Sequence, residues 1–120
     1  NVFLKTPVII FDDFTMANKF VDFPFKVKSS AMKILKPIDE NINIVFIYKI
    51  MQMIIYPKGD GHKRFWISEY SKIKISYPSN NEQQKIANFL SSLDSKIDLV
   101  STQIENTKAF KKGLLQQMFV

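Results

Sequence analysis

With 120 residues, 46% of them hydrophobic and 11 of them Phe, the chain has room for one real core and is too apolar to be a disordered tail. It has no Cys, which excludes disulfides and thiolate metal sites and is compatible with the cytoplasmic location expected here. A net charge of +6 suits a polyanionic partner, but with no concentrated Arg patch or basic run the charge by itself favours plain solubility over nucleic-acid binding.

The chain has no initiator Met and no charged-then-apolar leader. Asn1 is therefore expected to lie inside a longer parent polypeptide or a trimmed product. Val8-Ile9-Ile10-Phe11 reads as a short buried strand, closed by Asp12-Asp13 as solvated turn residues. Residues 19–28 alternate imperfectly between apolar and polar, which predicts an extended segment with Pro24 at an edge or bulge. Lys26 and Lys28 fall on one face of that segment by period two. Ala31 to Leu35 is expected to finish the same strand before Pro37 stops it. The run Ile42 to Ile55 begins after Asp39 or Glu40, and its length of about fourteen favours a helix although its β-branched content argues for a strand. Asn43, Lys49 and Gln52 interrupt the run, and it is short of the roughly 20 apolar residues of a membrane span, so no membrane is expected among the partners.

Pro57 to Arg64 is the clear loop, with two of the three glycines in Gly59-Asp60-Gly61. Glycine lets a backbone approach a ligand closely, and His62, Lys63 and Arg64 carry donors suited to phosphates or to guanine O6 and N7 in a major groove. The same residues equally describe a solvated hairpin loop with ordinary surface cations. Phe65 and Trp66 are expected in the core, Ser68 to Ser71 as a turn or short helical piece, and Ile73-Lys74-Ile75 as a strand ending at Tyr77-Pro78. Ser79-Asn80-Asn81-Glu82 reads as a capping box that opens a long helix. Along it Ile86, Leu90, Leu93, Ile97, Val100 and Ile104 are spaced 4, 3, 4, 3 and 4, a heptad seam that predicts pairing with another long helix. Past Ile104 the apolar register shifts to Phe110, Leu114 and Met118. A continuous helix over 82–118 would be roughly 55 Å long.

Two parts are therefore expected, a body over 1–78 and a helix over 79–120. The body is the basic part: residues 1–80 hold 12 Lys and Arg against 7 Asp and Glu, while residues 81–120 hold 5 against 4. Catalytic constellations are scarce. One His and no Cys leave no nucleophile-base pair of the Ser-His or Cys-His kind, and no Walker A or G-x-G-x-x-G loop is present. His62 has no companion at ligand spacing, so no metal and no cofactor are expected. Adjacent carboxylates at 12–13 and 39–40 do not make the convergent set that a metal-dependent nuclease needs.

Pro78, Glu82-Gln83-Gln84-Lys85-Ile86-Ala87, Leu90, Asp94, Ile97 and Lys111-Lys112-Gly113-Leu114-Leu115-Gln116 together form a pattern that resembles the helical region closing a target recognition domain in the specificity subunit of type I DNA restriction-modification systems. The resemblance is specific over these forty residues and looser upstream. It implies an α+β fold, a small mixed α/β recognition domain, in part, followed by one long coiled-coil-type helix. It implies a non-catalytic subunit that reads one half of a bipartite double-stranded DNA target. Its helix would pair with a second recognition half, or with a second copy, and would dock adenine methyltransferase subunits, with a restriction subunit in the same complex. The lack of an Asn/Asp-Pro-Pro-Tyr/Phe motif agrees, since methyl transfer would belong to another chain. On this reading His62, Lys63 and Arg64 contact DNA, with Lys26, Lys28 and Lys58 on phosphates. The rival expectation is a coiled-coil interaction module whose basic charge is incidental.

Overall fold

The computed structural model describes residues 2–56, 64–66 and 68–119. Its elements are β1 (Val2–Phe3), β2 (Val8–Asp12), β3 (Asn18–Val21), β4 (Phe25–Lys26), β5 (Met32–Leu35), α1 (Ile44–Met53), a 3-10 turn (Tyr70–Lys72) and α2 (Asn80–Met118). The fold is α+β, as the residue pattern predicts. By contacts it divides into two compact units, residues 1–87 and 88–120.

In the first unit, β2 is the centre of a three-stranded antiparallel sheet of order β3-β2-β5. Val8, Ile9 and Phe11 suit a central strand because β-branched and aromatic side chains pack well on a pleated surface, and all three are buried. Val8 faces Val21 and Phe11 faces Asn18 across one ladder, while Ile9 faces Leu35 and Asp12 faces Met32 across the other. The segment expected as one strand over 19–28 is two. β3 stops at Val21, and after Pro24, which has no N–H to donate, Phe25–Lys26 pairs with Val2–Phe3 in a separate ribbon. Ala31–Leu35 does not finish that strand either. β5 is a new strand that lies on the opposite side of β2 from β3, a long-range pairing that local alternation does not encode.

The turn between β2 and β3 is built by Asp12, whose carboxylate accepts from the N–H groups of Phe14 and Thr15 at 2.9 and 3.3 Å. Partial burial pushes its pKa up, but the hydrogen bonds from Phe14 and Thr15 outweigh that and hold the carboxyl below its usual value. Met16 closes the turn at φ 60°, a left-handed conformation that costs a non-glycine residue about 1–2 kcal/mol. Burial of its side chain beside Met51 and Tyr70 is what offsets that cost.

α1 covers the face of the sheet that carries Ile9 and Phe11. The helix predicted over 42–55 is present over ten residues, capped by Asn43 rather than started by Asp39 or Glu40: the Asn43 carboxamide oxygen accepts from the Phe46 N–H at 3.0 Å. Asp39 instead makes its own turn with the Asn41 N–H. Phe46 and Met51 are buried beneath α1, and Ile44, Ile47 and Tyr48 pack partly against the same core. Phe65 and Trp66 join it as expected, with the Trp66 ring 5.3 Å and the Tyr70 ring 4.5 Å from that of Phe11. Ile73-Lys74-Ile75 is not a strand. The Ile73 N–H closes the 3-10 turn on the Tyr70 carbonyl and its side chain packs on the core, so this residue is committed to the turn rather than to a ladder.

α2 opens at Asn80, where the Ser79 hydroxyl accepts from the Glu82 N–H at 3.4 Å, half of the predicted capping box. It runs 39 residues, about 58 Å at 1.5 Å each. In the first unit its opening turns bury Gln83 and Ala87. In the second unit Ser95, Thr102 and Thr107 donate to carbonyls one turn back, and Lys108 pairs with Glu105 on a solvated face where such a pair contributes little. Among the described residues no helix is long and apolar enough to cross a membrane.

Candidate nucleic-acid interface

Lys58, His62 and Lys63 lie outside the described residues. Arg64 is described, and its surroundings begin with Asp13. By the period-two rule Ile9, Phe11 and Asp13 share one face of β2, and that face is the core. Asp13 is accordingly 1% exposed, not the solvated turn residue expected from its neighbour Asp12. A buried carboxylate is tolerated only when paired and hydrogen-bonded. Here the Trp66 N–H donates to its Oδ1 at 2.8 Å, and its Oδ2 lies 3.5 Å from an Arg64 guanidinium nitrogen and 3.7 Å from Lys33 Nζ. The backbone reinforces the link, since the Phe65 N–H donates to the Asp13 carbonyl and the Asp13 N–H donates to that of Ala31. Asp13 thus ties the 64–66 segment to the end of β2.

Arg64 rests on this anchor with its guanidinium 5.1 Å from the centre of the Phe14 ring, and its side chain stays 52% exposed. Lys26, on β4, and Lys28, two residues beyond it, are both exposed, and β4 pairs with β1 in a ribbon separate from the sheet whose central strand β2 ends next to Asp13. The structure therefore brings Arg64 together with Asp13, Lys33 and Phe14, all of which lie outside the Pro57 to Arg64 run. The signal that finds Asp13 is its parity with Ile9 and Phe11.

A second polar constellation holds the start of α2. Gln83 is 0% exposed, yet every polar atom of its carboxamide is used. Its oxygen accepts from the Asn43 N–H at 2.9 Å, and its nitrogen donates to the carbonyls of Asn41 and Pro78, both at 2.9 Å. Asn43 Nδ2 donates to the Gln84 oxygen at 2.8 Å, and Asn80 Nδ2 donates to the Glu40 carbonyl at 3.2 Å. The Glu82-Gln83-Gln84 run is thus where α2 grips the N-cap of α1. Of the helix-pairing candidates, Ile86, Leu93, Ile97, Val100 and Ile104 are 38–61% exposed, and Leu90 is half-buried.

The family model for the type I restriction modification DNA specificity domain matches residues 6–108, which takes in both constellations and the whole seam. The chain belongs to that family. This specificity domain is also 49% identical over 83 residues to the type I restriction enzyme EcoR124I/EcoR124II specificity subunit of Escherichia coli, an alignment covering 68% of the chain and 20% of that protein. The chain therefore spans about a fifth of the length of the curated relative it matches. No solved structure matches the specificity domain. The family match ends before Lys111–Gln116, the last part of the pattern read from the helix. Among the described residues no group of three or more His, Asp or Glu could hold a metal ion.

Proposed function

We propose that the chain is a non-catalytic DNA-reading part of a type I restriction-modification specificity subunit, one that recognises one half of a bipartite duplex target. The observation that carries this reading is the family match over 6–108, which runs from the basic body through the heptad seam. In the proposed complex the body enters the major groove, with His62, Lys63 and Arg64 donating to base edges and Lys26, Lys28 and Lys58 setting register on phosphates. The body over 1–78 is the reader and the helix over 79–120 is the spacer. The seam from Ile86 to Ile104 pairs with the helix of a second recognition half or a second copy. Apolar side chains left this exposed at heptad spacing support that role, because such a stripe gains stability only when a matching helix covers it. The paired helices in turn seat the adenine methyltransferase and restriction subunits in the cytoplasm.

The rival, an interaction module with incidental charge, rests on the seam alone and is separated by a salt titration. Fluorescence anisotropy with duplex DNA, at rising salt and against unrelated competitor, is expected to show steep weakening together with a retained sequence preference. The interaction module predicts neither. Each phosphate contact adds about 0.9 to the slope of log affinity on log salt, so Lys26→Ala and Lys28→Ala should each lower the slope by about 1 on every duplex tested. A slope untouched by both would remove these lysines from the interface.

A further inference from the structure

We propose that Asp13 is a positioning residue that presents the Arg64 guanidinium to a guanine base edge, so that this pair sets one letter of the sequence the domain selects. The inference rests on the DNA-reading role proposed above and goes beyond it by naming the base and the device that reads it. Three observations carry it. Asp13 is anchored to the body by burial and by the Trp66 N–H, so its Oδ2 is a fixed point rather than a mobile surface carboxylate. Arg64 meets that point at 3.5 Å while lying against Phe14, and Phe14 is itself held by the turn that Asp12 caps. About half of the Arg64 side chain nevertheless remains in water, which leaves guanidinium N–H groups available outside the Asp13 contact.

The chemistry favours a base over a phosphate. A phosphate is met as well by a flexible lysine as by a guanidinium and draws on the cation's full charge, which a carboxylate set behind the cation reduces. A planar fork held on two supports instead has lost most of its rotational freedom before binding, which is what two parallel hydrogen bonds to guanine O6 and N7 require. Lys33 shares Asp13 at 3.7 Å, so the buried carboxylate is balanced by two cations while Arg64 keeps its outer N–H groups toward water.

The test presents the full 120-residue chain with a pool of randomised duplexes and sequences the bound fraction. Wild type should enrich a sequence containing a guanine preferred about ten- to a hundredfold over other bases at that position. Arg64→Lys keeps the charge and loses the fork, and should abolish that one preference while the other positions stay selected. Asp13→Asn keeps an acceptor for the Trp66 N–H but loses the ionic hold, and should weaken the same guanine preference several-fold, with no further loss when combined with Arg64→Lys. Lys33→Ala should leave the preference standing. Should Asp13→Asn not fold, as read by Trp66 fluorescence, Arg64→Lys decides. A guanine preference that survives Arg64→Lys, or one that falls equally in Lys33→Ala and Asp13→Asn, overturns the inference and leaves DNA reading intact. A wild-type chain that enriches no sequence overturns the DNA reading itself, and the inference with it.

Discussion

Leu93→Asp combined with Ile97→Asp is expected to reduce the chain to a 14.0 kDa monomer in light scattering under conditions where wild type associates through α2. Leu93 and Ile97 occupy the middle of the heptad seam and are 38% and 61% exposed in the single chain. Full burial of such a side chain is worth about 1.5–3 kcal/mol, and scaled to the fraction still exposed the two together are worth about 1.5–3 kcal/mol per chain before any charge effect. At about 1.4 kcal/mol per tenfold, that weakens association by roughly one to two orders of magnitude for each chain that carries the change. Burying the new carboxylates would weaken it further. The far-UV helix signal of α2 and the Trp66 emission report whether the body survives the change, since Trp66 is the single tryptophan and packs against Phe11. An unchanged mass in a folded double variant would count against pairing through this seam.

Gln83→Ala is expected to lower the stability of the first unit by about 2–4 kcal/mol. The substitution strands the part-buried Asn43 N–H and Pro78 carbonyl, each worth about 1–2 kcal/mol when left without a partner. The Asn41 carbonyl, on an exposed residue, is more easily hydrated and contributes less. Gln84→Ala removes an exposed hydrogen bond to Asn43 and should cost less, about 0.5–1.5 kcal/mol. Denaturant unfolding followed by Trp66 fluorescence measures both. Equal, small effects would mean that the buried carboxamide does not hold α2 to α1.

Much of this architecture was legible because it depends on local pattern. The heptad spacing from Ile86 to Ile104 and the Ser79 cap mark α2, and a fourteen-residue apolar run after two acidic residues marks α1 in spite of its β-branched content. What escaped depends on distant partners. β5 reads locally as a continuation of 19–28, and only the ladder with β2, in which Ile10 faces Ile34, makes it a separate strand. Ile73-Lys74-Ile75 alternates like a strand, but its first residue is claimed by the 3-10 turn and the core. The candidate site is legible in the sequence to the same uneven degree. A run of cations after glycines draws attention to Arg64, whereas Asp13 gives its role away only through the side of β2 it shares with Ile9 and Phe11. Gln83 and Gln84 stood out as part of a pattern, but their chemistry, a carboxamide clamp on the N-cap of α1, needs Asn41 and Asn43 forty residues earlier to be seen.

The most direct test of the account is the spacing within the DNA that the associated chain selects. If a basic reader is held at a set distance from a second reader by paired helices, duplexes recovered by the wild-type assembly should carry two short recognition elements separated by one constant number of base pairs. Recovered duplexes that share a single element with no companion at fixed spacing, or that share nothing, would contradict it.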